Sequence, residues 1–266
     1  MYRRLARKHG YRIRSIWTMI KGFSKPLQTV AIFTGRAQPG LKIIGIRGSE
    51  QQFTIRGAMD AWCLKETLLD GCYERYGFAI EQDWTVIDIG GGIGDFTVLA
   101  ATKSSRGRVY AFEPFPESFE LMLHNLQVNG VANAEPLQIA ITGRSRALTL
   151  DLSSGEPLMF ESVDVAEGDH AIVESLTLAG VIERLAVDRL DLVKLDCEGA
   201  EYDILFNSPP DVIGRIQRIV MEYHDHTTEH THPELVRFLQ QAGFVVETFP
   251  SPVHPKQIGY LRAART

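Results

Sequence analysis

Three carboxylates, Asp196, Glu198 and Glu201, lie within six positions of one another in the stretch LVKLDCEGAEYDILF (192–206), directly after an apolar run. Acids released where a buried strand ends can bind a cation, act as a base, or open a solvated helix. Lys194 and Asp196 are two apart and therefore share one strand face. Glu201 falls at the start of the following helix, where a negative charge is favourable by roughly 0.3–1 kcal/mol. A second set follows in IVMEYH (219–224), where Glu222 and His224 alternate to one face, and histidine is the side chain whose ordinary pKa suits proton transfer near neutrality. The segment after it holds His224, His226, His230 and His232 with Asp225 and Glu229 among them, a density that suits a metal. Yet His230, Thr231 and His232 stand before Pro233 at a helix start, which makes capping or solvated roles the favoured reading. A divalent cation, which would lower the pKa of a bound hydroxyl, is the less favoured alternative.

The third chemical signal is VIDIGGGIGDFTVLAA (86–101). Gly90, Gly91, Gly92 and Gly94 after a buried strand allow a tight turn, and the next helix offers its N-terminal N–H groups, so a nucleotide-type cofactor is expected. A dinucleotide turn reads G-x-G-x-x-G, and here the sixth position from Gly90 is Asp95. Asp88 would repel a pyrophosphate and suits the ammonium of a bound amino acid, directly or through water, which favours S-adenosylmethionine. Glu113 closes the second strand and is placed to accept hydrogen bonds from ribose hydroxyls. Pro114 beside it and Ala140 in the third strand complete the expected cofactor edge. No tyrosine is followed four residues later by lysine, so a nicotinamide-dependent reductase lacks its usual pair. A non-catalytic cofactor-binding protein on the same fold is the other alternative to an enzyme.

The elements that must carry these residues alternate. Residues 54–78 show helical periodicity, 85–89 read as a strand, 92–104 as a helix, 108–113 as a strand, 116–130 as a helix and 134–141 as a third strand. Right-handed crossovers then require a mostly parallel α/β sheet with helices on both faces and ligands at the carboxyl ends of its strands. Residues 143–178 break the rhythm with short strands, read as a β insertion. The sheet resumes at 190–196 and 215–224, a helix ends near Gly243, and a strand pair closes the chain. The domain plan is a basic N-terminal extension over 1–53 and a Rossmann-like domain over 54–266.

Charge divides along the same line. Residues 1–49 hold eleven Lys or Arg and no acid; the remainder carries 17 Lys or Arg against 33 Asp or Glu, a net −16 on the body against +11 on the arm. Leu5, His9, Ile13, Ile16, Trp17, Ile20 and Phe23 recur at three- and four-residue steps, so the arm reads as a basic amphipathic helix. Packing on the body or on a second subunit is the favoured use of its apolar stripe, which leaves a homodimer open; peripheral contact with an anionic membrane is the alternative. The acidic body and the absence of interleaved aromatics on the arm argue against nucleic acid. No run of 18 apolar residues occurs, no secretory signal is evident, and three cysteines without metal-ligand spacing fit a reducing, cytoplasmic setting.

With these motifs in place, the chain resembles the FkbM-like S-adenosylmethionine-dependent methyltransferases. The resemblance runs from Met59 to Phe249 through DGCYERYGF, VIDIGGGIGDFT, VYAFEPFPESFELMLHNLQVNG, LTLAGVI, LVKLDCEGAEYDILF and IVMEYH, and K-x-D-x-E-G-x-E is its most specific part. It implies a class I methyltransferase sheet and transfer of a methyl group to a hydroxyl of a small-molecule acceptor, a sugar or a secondary metabolite. Asp196 would then border the methionine end of the cofactor and Glu198 would face the acceptor. His224 or Glu198 is the expected base, with Glu222 orienting its neighbour.

Overall fold

The computed structural model describes residues 11, 14–151, 158–160, 170–251 and 254–265. Leu5, His9 and Ile13 of the expected arm stripe and parts of the insertion lie outside these residues. The strands are β1 (Lys42–Gly45), β2 (Gln52–Ile55), β3 (Thr85–Ile89), β4 (Arg108–Phe112), β5 (Ala134–Leu137), β6 (Ala140–Ile141), β7 (Leu148–Asp151), β8 (Leu158–Phe160), β9 (His170–Val173), β10 (Ser175–Leu176), β11 (Leu192–Leu195), β12 (Arg218–His224), β13 (Phe244–Pro250) and β14 (Ile258–Arg265).

Seven of them form the main sheet in the order β13-β14-β12-β11-β3-β4-β5. The strands from β12 to β5 are parallel and β14 runs antiparallel between β12 and β13. Chain order reverses at β3, with β4 on one side and β11 on the other, and a crevice at such a switch point is where open α/β sheets bind ligands. The α/β class and the sheet expected from the sequence are therefore the fold observed.

Residue alternation decides what each face carries. Ile87, Ile89, Val193, Leu195, Ile219 and Met221 point into one buried cluster, where Tyr202, Leu205 and Leu235 cover them. Val86, Leu192 and Val220 point to the other face, against Tyr73, Phe96 and Ala100. Asp88, Lys194 and Glu222 continue that second row two residues further along each strand. The polar groups of the candidate site thus sit at the upper end of an otherwise apolar face.

Several elements differ from expectation. The periodic run over 54–78 is one helix (Ala58–Leu64), a π-helical turn (Lys65–Leu69) and a short helix (Cys72–Arg75), broken at Gly71. The expected third strand is two, because Ala140 turns away from the main sheet to pair with Ser175 of β10. The insertion contains the three-stranded sheet β8-β7-β9. Its end is a helix, Leu178–Leu185, capped by the Thr177 hydroxyl, which accepts from the Gly180 N–H.

The β1–β2 hairpin was not anticipated, and β2 crosses the boundary placed at residue 53. Asn125, on the helix Pro116–Val128, accepts from the Thr54 N–H at 2.7 Å and donates to the Thr54 carbonyl at 3.1 Å, tying the hairpin to the body. In the arm helix over residues 14–22, Ser15 and Met19 are buried, as is Phe23 just beyond it, whereas Ile16 and Trp17 are exposed. The buried face is thus rotated away from the expected stripe. Among the described residues no helix is long and apolar enough to cross a membrane.

Candidate active site

Strand β3 delivers the glycine turn and its neighbour β11 delivers the acidic turn. In their register Lys194 stands opposite Asp88, and both are buried. The Lys194 Nζ lies 3.0 Å from Asp88 Oδ1 and donates to the Gly90 carbonyl at 2.6 Å. Thr97 completes the arrangement by donating to Asp88 Oδ2 at 2.7 Å. Burial would lower the Lys194 pKa, but Asp88, Asp196 and Asp95 outweigh it and raise the value, so the ammonium stays charged. Asp88 is fully buried, with its carboxylate held by Lys194 and Thr97.

The glycine turn is tied down in the same way. The N–H groups of Gly90 and Gly91 both donate to the Phe112 carbonyl at 3.0 Å, and the Gly92 N–H donates to Glu113 Oε2 at 2.8 Å. Gly90 has φ of +76°, and a Cβ there would stand 1.9 Å from the Asp196 carbonyl oxygen. Only glycine permits that approach of the two turns. At Gly92 the equivalent direction is open space, the free side of the turn on which a ligand can lie. Glu113 accepts a second bond, from the Phe115 N–H at 2.8 Å. Burial pushes Glu113 up to about 7 against the opposing pull of those two N–H groups and Lys194. Pro114 is half-buried next to it, and Ala140 is buried in β6 with its N–H given to the Glu174 carbonyl.

Across the crevice, Tyr73 donates to Asp196 Oδ2 at 2.5 Å. Burial and the charge of Asp196 raise the tyrosine's pKa, so it keeps its proton and acts as donor. Sequence reasoning missed Tyr73; its only trace was DGCYERYGF ahead of the first sheet strand. Glu198 adopts φ of +53°, rare for a non-glycine residue, and its side chain is 64% exposed. Holding such a conformation costs about 1–3 kcal/mol, so it must be imposed by its surroundings. Gly199 follows at φ of +108°, where a Cβ would clash with Thr227.

Glu201 is not a solvated helix-start acid. It is fully buried; its Oε1 accepts from the Cys197 N–H at 2.9 Å and lies 3.2 Å from His224 Nδ1. The opposite ring nitrogen, Nε2, stands 3.6 Å from Glu198 Oε2. Burial acts to lower the His224 pKa, yet the Glu201 bond and the charges of Asp196, Glu201 and Glu198 raise it to about 10. Glu222 is raised by burial first, then by the carboxylates of Asp196 and Glu66.

The remaining histidines separate. His232 Nδ1 lies 2.7 Å from Asp225 Oδ2, its ring stacks on Tyr223, and Thr231 with Glu234 forms a capping box for the helix His232–Gln241. His230 stacks on Tyr202. Of the dense segment, His224 makes the close contacts with the acidic turn, to Glu198 and Glu201. The structure thus brings Asp196, Glu198, Glu201 and His224 together beside the glycine turn.

The profile of the FkbM methyltransferase domain matches residues 88–246. The chain is 25% identical over 264 residues to the 31-O-demethyl-FK506 methyltransferase FkbM of Streptomyces tacrolimicus, covering 88% of this chain and 97% of that protein. With the hexuronic acid methyltransferase AglP of Haloferax volcanii it shares 22% identity over 217 residues, 78% of this chain and 84% of the other. The AMB antimetabolite synthetase AmbE of Pseudomonas aeruginosa is 25% identical over 222 residues, and the matched region is 70% of this chain but 10% of AmbE. Among solved structures, an FkbM methyltransferase from Methylobacillus flagellatus KT matches with a TM-score of 0.49 and 11% identity, over 70% of this chain and 44% of that one. Because the domain profile spans more than half of the sequence, from the Asp88 strand to the strand after the last helix, the chain belongs to the FkbM family of methyltransferases.

Proposed function

We propose that the protein transfers the methyl group of S-adenosylmethionine to a hydroxyl oxygen of a small molecule, a sugar or secondary-metabolite alcohol. The observation that carries this reading is the contact between the glycine turn at Gly90 and the acidic turn at Asp196. It sets a cofactor cradle and a cluster of proton-accepting groups side by side at the switch point. The site fits the cofactor: Gly92 leaves an open side, Glu113 retains acceptor capacity for ribose hydroxyls, and Asp196 faces the same crevice. Relatives named for a 31-O-demethyl and a hexuronic acid substrate support an oxygen acceptor.

The cofactor supplies an electrophilic methyl on a sulfonium. Transfer forms an oxygen–carbon bond to the acceptor, breaks the sulfur–carbon bond, and leaves the electron pair on a neutral thioether. An alcohol is a poor nucleophile at neutral pH, so its proton must pass to the protein as the bond forms. Of the two bases read from the sequence, Glu198 is the better placed, because its carboxylate is exposed at the crevice. His224 already has a partner on each ring nitrogen and balances the charge of Glu198 and Glu201. Glu222 stands behind it on the same face of β12.

Calorimetric titration with S-adenosylmethionine, S-adenosylhomocysteine and NADH tests the cofactor. Binding of both sulfur nucleotides and not NADH is expected; the reverse would overturn the reading. Once an acceptor is found, Glu198→Ala should lower kcat by about 10²–10⁴ with cofactor affinity nearly unchanged. An unaltered kcat would remove Glu198 from the base role.

A further inference from the structure

Glu201 poses a question that methyl transfer alone does not answer. Its carboxylate is fully buried, and although Oε1 serves both Cys197 and His224, Oε2 has no hydrogen-bond partner. An unmade bond on a buried carboxylate oxygen is expensive, on the order of 1–3 kcal/mol or more. Such an atom persists where it has a partner in the working protein.

The surroundings identify the partner's chemistry. Asp196, Glu201 and His224 each offer one ligand atom, and those atoms lie within 4.8 Å of one another. Two ligands on opposite sides of a cation with bonds of about 2.2 Å are about 4.4 Å apart, so the three atoms stand within a few tenths of an ångström of one coordination sphere and would draw in slightly on an ion. The charge has the right sign, for two carboxylates with a neutral imidazole balance a divalent ion. Mixed oxygen and imidazole donors suit Mn²⁺ or another first-row ion better than Mg²⁺, which prefers oxygen ligands and retained water. Loading would displace the proton from His224, since only a neutral ring nitrogen coordinates.

We infer that Asp196, Glu201 and His224 form a binding site for one divalent transition-metal ion, with Mn²⁺ as the representative occupant. Its place beside Glu198 gives the ion a role that rests on the methyl-transfer reading: it would bind the acceptor oxygen and lower its pKa, while Glu198 takes the proton. Glu198 and Glu222 stand close by, outside the ligand set, and add to the negative field that attracts the ion.

The test is a Mn²⁺ titration of the full chain after chelator treatment, read by the loss of the free-ion electron paramagnetic resonance signal. One ion per chain is expected, with affinity at least about tenfold weaker in Glu201→Gln and in His224→Asn. The second variant keeps the Glu201 bond to Cys197, so it reads the site even if Glu201→Gln folds poorly. His230→Ala, on the exposed loop, should bind as the parent does. No binding by the parent chain, or equal binding by the parent and the His224→Asn chain, would overturn the assignment. Because the titration contains no cofactor, it is independent of the calorimetric test: Mn²⁺ binding without nucleotide binding would keep the metal site and sink methyl transfer.

Discussion

Glu113 shows how a single side chain can report on the state of the crevice. Burial holds its carboxyl at about 7 against an ordinary 4.5. The folded protein therefore keeps a proton that the unfolded chain loses above about pH 4.5. Native stability should fall as pH rises through that window, by an amount on the order of 3 kcal/mol for a shift of that size. Hydrogen bonds donated by ribose hydroxyls favour the ionised form and oppose the shift. Binding of S-adenosylhomocysteine should accordingly release a proton and tighten about tenfold between pH 6 and pH 8, the change in the ionised fraction of a group titrating near 7. Titrations at the two pH values check this, and the Glu113→Gln protein should show a flat profile. The acid at position 113 was legible from its place at a strand end, but its pKa was not, because burial and the two N–H donors are properties of the folded turn.

At the level of elements, the glycine turn and the acidic turn were both legible as strand ends followed by helices. What no local pattern revealed was that they touch. Gly90 reads as a turn residue for its own sake, yet its missing side chain makes room for the Asp196 carbonyl more than a hundred positions away. Gly90→Ala should therefore damage both turns at once, through the positive φ and through the clash. We expect loss of nucleotide binding together with a lowered unfolding midpoint in urea, whereas Gly92→Ala, which meets no atom, should retain more stability despite its own positive φ. Equal stabilities would remove the contact as an explanation. Tyr73 was hidden for a related reason: it lies on a helix broken by a π turn and Gly71, so periodicity over 54–78 gave the existence of helix without the orientation of its residues. The hairpin β1–β2 escaped because its strands are four residues each, too short to stand out in a basic segment.

Considered as a whole, the molecule depends on its last strand. β14 is flanked by β12 and β13 and places Leu261 and Ala263 in the core beside Leu195 and Met221. Strand β12 also ends at His224, so the site's imidazole rests on a strand that β14 pairs along its whole length. Truncation after Gln257 should expose two strand edges and abolish a cooperative unfolding transition, as read by circular dichroism in urea; a sharp transition near the parent midpoint would show that β12 is held without it. The alternating order of strands and helices made the parallel part of this sheet readable from the sequence. The partner exchange of Ala140, which leaves the main sheet for β10, was not readable, because its residues are equally good strand formers in either place.

The contact between Gly90 and Asp196 has a last consequence, for motion. Lys194 grips the Gly90 carbonyl, and the Asp196 N–H donates to the Ile89 carbonyl at 3.1 Å, so the two turns are fastened at three points. They cannot swing apart like jaws. Opening and closing of the crevice must then fall to segments hung around this fixed pair. Donor and acceptor would meet across a gap that stays constant through the cycle, while the door to that gap is built elsewhere.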